Sequence, residues 1–383
     1  MGISLAFYSF IVLGVLESSY GVLLPSIIAT FNLNSATITS LFLSQFIGYI
    51  GAALVSSSQS NHVGYIRMLL LASIVLIFAL AIYITTPIWP LMIAGGVLLG
   101  SGMGLIDVSS NTYIANDVDN ADTIGYLHGF YGIGALLGPA IATSLLNTAL
   151  NWRLAYLIFI WMVVLLALGT LFSEKRNYVP LVKQKVEPNT NTWQHLREVL
   201  CKPVVFISAF FLLVYVGTEA SIGYWAYSFQ TLIHDIPKIQ AGYSVSAYWM
   251  GLTLGRMGMR RMVRTVGAIR TTEFSLIILI IGLLFWWFVP SQLISLPIMG
   301  LALAAIYPTI ILLASQSVPT RSVSSTVGFL SSVGNLGSAI FPTSVGIFST
   351  WIGLKNLPIM MLSLSILMIL LNRWLIRERI VCD

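Results

Sequence analysis

Three acidic side chains interrupt long apolar runs of this chain: Glu17, Asp107 and Glu219. A carboxyl at the centre of a bilayer costs about 3 kcal/mol or more, so such a residue faces a polar interior and usually has a task there. Burial disfavours the charged form of a carboxyl, which suits a group that must gain and lose a proton in every cycle. At helical spacing Glu17 shares a face with Gly14, Ser18, Gly21 and Pro25, small residues that let a helix or a solute approach. Asp107 shares one with Gly100, Gly104 and Asn111. Glu17 and Asp107 are therefore expected to carry protons. The competing expectation is structural: a carboxyl hydrogen-bonded to a neighbouring helix, and a small-residue packing seam with a polar clamp.

Glu219 stands among Tyr215, Tyr224 and Trp225, aromatic rings of the kind that stack on a sugar. Asn111, His128, Tyr131, Glu219, Tyr224 and Trp225 are the expected solute-binding residues, with His128 also a possible proton relay to Asp107. Arg256 and Glu273 bracket a basic loop and are expected to pair as a conformational lock. No metal site and no organic cofactor are expected: four His and two Cys are too few for a zinc cluster. The chain contains no phosphate-binding loop, zinc-protease motif or nucleophile elbow, which excludes pumping by ATP hydrolysis within it. It reads as a non-enzyme.

The elements that position these residues follow from composition. Of 383 residues 57% are hydrophobic and only 8% charged, with a mean hydropathy of +0.90. Soluble domains carry about 25% charged residues, so this chain has too few to build a water-exposed surface. It is an all-α polytopic membrane protein. A bilayer crossing takes about 20 apolar residues, and on that scale the chain holds twelve spans. They lie at 4–29, 37–57, 67–86, 89–115, 124–148, 153–173, 203–229, 242–261, 267–289, 292–316, 322–350 and 356–373. A polar segment divides them into a six-helix bundle over 1–173, a cytoplasmic linker over 174–202 and a second six-helix bundle over 203–383. The first span has no basic start and carries Glu17 at its centre, so cleavage as a signal peptide is not expected.

The net charge is +6 and the isoelectric point 9.3, yet the bases lie between apolar runs and not on one soluble face, which argues against nucleic acid. With the N-terminus inside, sixteen of the nineteen Lys and Arg fall on the cytoplasmic side, leaving Arg153, Lys238 and Lys355 outside. Both termini are then cytoplasmic, and Cys201 and Cys382 are expected there as free thiols. The halves also repeat. Glu17 and Gly21 recur as Glu219 and Gly223, Gly48 as Gly251, Gly100 as Gly300, and Gly134 with Pro139 as Gly337 with Pro342. The offsets stay between 200 and 203, as parallel halves of a transporter would give.

On these features the chain resembles the major facilitator superfamily, and within it the fucose-permease-like branch, which includes glucose/mannose–proton symporters and a sodium-dependent glucose transporter. The segments that carry the resemblance are Leu23-Leu-Pro25, Gly104-Leu-Ile-Asp107-Val-Ser-Ser-Asn111, Leu127-His128 with Gly134-Ala135, Tyr215-Val-Gly-Thr-Glu219, Trp249-Met-Gly251-Leu-Thr-Leu-Gly255-Arg256, and Ala305-Ile-Tyr307-Pro308. The resemblance implies a major facilitator fold of two pseudo-symmetric six-helix bundles. It sets Asp107 where fucose permease has a proton-coupling glutamate in the fourth span, and His128 near a sugar-holding polar residue. The span-1 acid of that permease aligns with Gly21, one turn beyond Glu17. The stretch Ser57-Ser-Gln-Ser-Asn61-His62-Val-Gly64 keeps only the second glycine of the superfamily's loop pattern and has Asn61 in place of its acid. Gly125, Gly134 and Gly138-Pro139 have the spacing of a motif found in proton-driven exporters, with Ala142-Thr143 replacing its terminal glycines.

The expectation is thus a secondary transporter in the inner (plasma) membrane that moves a small polar solute, a sugar first, by proton-coupled alternating access. The coupling ion is H⁺, with Na⁺ open. The alternative is an antiporter exporting a drug, a siderophore or a metabolite; a third reading is a transporter-like receptor without flux. The expected partners are the solute and the lipid bilayer, and a monomer is the expected state.

Overall fold

The computed structural model describes residues 2–115, 121–148, 151–175, 202–289, 293–319 and 322–382. Most of the linker, with Cys201, lies outside these residues, as do the side chains of 57–63 around Asn61. The chain divides into two compact units, Met1–Lys185 and Val186–Asp383. The first unit contains α1 (Gly2–Phe31), α2 (Ser35–Val63), α3 (Tyr65–Thr85), α4 (Trp89–Ala115), α5 (Ala121–Asn147) and α6 (Arg153–Lys175). The second contains α7 (Pro203–Ile233), α8 (Lys238–Val266), α9 (Ala268–Phe288), α10 (Ser295–Ala304), α11 (Ile306–Gln316), α12 (Val323–Ile352) and, after a 3₁₀ turn at Leu354–Asn356, α13 (Leu357–Cys382). Helices dominate because lipid offers no partner for a free N–H or C=O, and a helix satisfies its own.

Among the described residues twelve spans are recognisable, with one difference from the expected pattern. The tenth is not a single helix over 292–316 but two, α10 and α11, interrupted at Ala305. Pro308 explains the break: it has no N–H to offer the carbonyl four residues earlier, and its ring crowds that position. By length and composition ten spans among the described residues are apolar enough to cross a membrane. The other two, α8 and α12, are diluted by the arginines at the end of α8 and by the serines and glycines of α12.

The repeat seen in the sequence is a repeat of packing. In the first unit α1 lies along α5 and α2 along α4; in the second α7 lies along α12 and α8 along α10. The matched glycines stand at these contacts. A methyl group on Gly48 would strike the Val97 carbonyl of α4, and one on Gly251 the Pro297 carbonyl of α10. Gly134 meets Ile11 of α1, and Gly337 meets Leu213 of α7, in the same way. Lipid supplies no hydrophobic drive between helices, so such backbone approach is how they gain contact. The corner between the second and third spans repeats as well: Gly64 has φ 82° and ψ 153°, and Gly267 has φ 90° and ψ 155°. A positive φ of this kind is open to glycine and strained for other residues.

Candidate functional site

The two expected coupling acids of the first unit stand on two different helix contacts. On the α1–α5 contact the Tyr131 hydroxyl donates to Glu17 Oε2 at 2.9 Å. The approach that makes this possible comes from Gly14, packed on the Tyr131 backbone, and from Gly134 and Gly138, packed on α1. On the α2–α4 contact Gly100 and Gly104 admit the backbone of Gln45 and Tyr49. The Tyr49 hydroxyl thereby reaches Asp107 Oδ2 and donates to it. Asn111 Nδ2, one turn along α4, donates to Asp107 Oδ1 at 2.8 Å. Both carboxyl oxygens of Asp107 are held by neutral donors. The glycine stripe that packs α4 on α2 and the acid held by Tyr49 form one arrangement.

In the second unit Glu219 is also held at both oxygens. Tyr215, one turn earlier on α7, donates to Oε2. Arg256 of α8 brings Nη2 to 3.5 Å from Oε1, with side-chain exposures of 33% for the arginine and 15% for the glutamate. The Tyr248 hydroxyl of α8 donates to the Glu219 backbone carbonyl at 3.0 Å. Next to this group, Tyr307 follows the break of the tenth span. Its ring centroid lies 6.0 Å from that of Tyr215, and its hydroxyl is 2.9 Å from Ser331 Oγ on α12.

Three expectations are corrected. The ion pair seen at Arg256 is with Glu219 of α7, across the α7–α8 contact, whereas the expected partner Glu273 stands on α9. Trp225 does not wall an open site: it is 1% exposed and its indole N–H donates to the Pro342 carbonyl of α12 at 3.0 Å. The turn of the helix between 224 and 225 leaves Tyr224 half-buried and sends Trp225 into the α7–α12 contact. His128 is exposed and sits edge-on to Phe10, with centroids 5.7 Å apart; the hydrogen bonds of Asp107 go to Tyr49 and Asn111, not to His128. Tyr49, Tyr248 and Tyr307 were not foreseen, and Tyr215, expected as one of the aromatic rings around Glu219, was not expected as its hydrogen-bond donor. Tyr215 had a readable signal, since it precedes Glu219 by one helical turn, and Tyr49 directly follows the repeated Gly48. Among the described residues no three His, Cys, Asp or Glu gather as metal ligands would.

The sequence matches the family model of the Major Facilitator Superfamily over residues 6–342. The chain belongs to this superfamily of membrane transporters. Among curated proteins it is similar to the glucose/mannose transporter GlcP of Bacillus subtilis, 28% identical over 346 residues, covering 88% of this chain and 85% of GlcP. It is also similar to Bypass of stop codon protein 6 of Saccharomyces cerevisiae, 24% identical over 373 residues, covering 88% and 74%. Its fold matches a crystal structure of a variant of the nucleoside transporter NupG, with a TM-score of 0.79 at 14% identity over 98% of this chain and 99% of that one. The resemblance read from the sequence is met by the family and by the glucose/mannose relative. The protein is a multi-pass membrane transporter and not an enzyme.

Proposed function

We propose that this transporter is a proton-coupled symporter of a small polar solute, a hexose-type sugar in the first instance, working by alternating access. The observation that carries the reading is the setting of Asp107, whose two oxygens accept hydrogen bonds from Tyr49 and Asn111 alone among the described residues. With neutral donors on both sides, gain or loss of a proton on Asp107 changes the charge of the cluster, which is the condition for coupling. Glu17 is the second coupling acid in this proposal, and it accepts a hydrogen bond from the neutral Tyr131 hydroxyl.

Glu219 takes a different role. The Glu219–Arg256 pair sets an acceptor beside a donor, an array that fits solute hydroxyls, with Tyr215 at the carboxylate and Tyr224 further along α7. Asn111, His128 and Tyr131 complete the proposed solute contacts. The sugar assignment is supported by the glucose/mannose relative and by this mixture of charged and phenolic groups. A proton entering with the solute gains about 2.3 kcal/mol per 100 mV of membrane potential, enough to concentrate it. No metal or organic cofactor enters the scheme. The bias of the basic residues supports the inner (plasma) membrane with both termini in the cytoplasm, and the chain works as a monomer in this reading.

The test uses purified protein in liposomes with a pH-sensitive dye inside, challenged with a panel of hexoses. Internal acidification on addition of one sugar, lost in Asp107→Asn and Glu17→Gln, is the expected result. Uptake that follows a sodium gradient without acidification would replace H⁺ by Na⁺. Silence with every sugar, together with proton movement when a preloaded lipophilic cation or siderophore leaves, would make the protein an exporter and overturn the proposal.

A further inference from the structure

The end of the second unit where α8 meets α9 carries four exposed arginines within eleven residues: Arg260, Arg261, Arg264 and Arg270. Among the described residues none of their guanidinium groups has an ion pair or a side-chain hydrogen bond to a carboxylate. The corresponding basic residue of the first unit, Arg67 at the start of α3, is neutralised by Glu174 at 2.9 Å. A topology signal needs only the charge of such a cluster. Its arrangement goes further.

On α8 the exposed Leu254 and Met257 lie on one helical stripe that ends in Arg261. On α9 the exposed Phe274 and Ile277 lie on a stripe that ends in Arg270. A single residue, Gly267, joins the two helices, so both arginine ends fall at the same corner. With Met250 one turn before Leu254 and Ile281 one turn after Ile277, both exposed, each stripe has the form of a phospholipid in outline: an apolar track of about two turns, then a guanidinium at the level where the track ends. Arg260 and Arg264, one turn apart on α8, add charge at the same height. Guanidinium groups hold phosphate through paired N–H donors, in a geometry that an ammonium group lacks.

We propose that this corner is a binding site for anionic phospholipid, with the acyl chains on the two apolar stripes and the phosphate on Arg261 and Arg270, supported by Arg260 and Arg264. The inference is independent of the solute and of proton coupling. It also bears on the site described above, because Arg256, which faces Glu219, lies on α8 one turn before Arg260.

The experiment uses the full-length purified protein exchanged into mixed phosphatidylglycerol and phosphatidylcholine, with retained lipids counted by native mass spectrometry. Wild-type protein is expected to retain phosphatidylglycerol in preference to phosphatidylcholine. That preference should fall roughly fivefold for each of Arg261→Gln and Arg270→Gln, and further in the four-residue Gln variant. The unfolding midpoint in phosphatidylcholine alone should be unchanged, and the two single variants decide the matter should the fourfold variant fail to fold. Equal retention of the two lipids by wild type, or an undiminished preference in both single variants, would overturn the proposal. Displacement of the lipid by millimolar inorganic phosphate would assign the corner to free phosphate and overturn the lipid assignment.

Discussion

Asp107 and Glu219 occupy comparable settings in the two units and differ in one partner. Each is a membrane carboxyl with both oxygens engaged, and each receives one of its hydrogen bonds from a tyrosine. The second oxygen of Asp107 meets the amide of Asn111, whereas that of Glu219 meets the guanidinium of Arg256. The backbone contacts around them repeat, with glycines admitting α2 to α4 and α8 to α10. The electrostatics do not repeat. Related packing therefore surrounds a carboxyl with neutral donors in one unit and sets one beside a guanidinium in the other, and the proposed division of proton and solute roles rests on that contrast.

The contrast is most sharply tested by exchanging the acids for their amides. Asp107→Asn should slow proton-driven solute uptake by about 100-fold or more, the scale of losing a proton-transferring group. Exchange of labelled for unlabelled solute at equal concentrations should persist, because no net proton movement is needed. Glu219→Gln should weaken solute binding with the proton-to-solute ratio kept. Loss of coupling in Glu219→Gln and its survival in Asp107→Asn would reverse the roles.

The shared packing can be tested on its own. Gly48→Val and Gly251→Val each push a side chain into a facing carbonyl, and each should destabilise the protein by about 1–3 kcal/mol, read as thermal unfolding in detergent. A large loss at one and none at the other would show that the repeat of contacts does not extend to energetics.

A smaller effect separates the ion pair from the neutral cradle. Glu219→Gln takes from Arg256 the carboxylate 3.5 Å away, and the double variant with Arg256→Gln should recover part of the stability. Because Arg256 is one-third exposed, water screens the pair, and a coupling of about 1 kcal/mol is expected, below the range for fully buried pairs. A double-mutant cycle by unfolding measures it. Additive single and double variants would remove the basis for treating Glu219 as charge-compensated.

The smallest effects concern single hydrogen bonds. Tyr49→Phe and Trp225→Phe each remove one donor, worth about 1 kcal/mol. Tyr49→Phe should slow proton-coupled uptake several-fold. Trp225→Phe should lower stability with solute preference unchanged, since its N–H is spent on Pro342. A shift of solute preference in Trp225→Phe would return that residue to the solute site.

Much of this protein was legible in the chain. Low charge and apolar runs of bilayer length require membrane helices, because backbone polar groups have no other partner in lipid. The spacing of Gly48, Gly100 and Gly134 and their repeats marked the contacts, since only the absence of a side chain permits such approach. The acids stood out because a carboxyl in an apolar run is costly wherever the helix packs. Which partner each acid takes was not legible. Arg256 lies 17 positions from Glu273 and 37 from Glu219, and the ion pair seen is with the more distant one. Likewise Tyr224 and Trp225 are neighbours in sequence, but one helical step sends the second into the α7–α12 contact. Composition and period are local and survive in one dimension. Partner choice depends on how helices rotate against one another, and that is decided only when their surfaces meet.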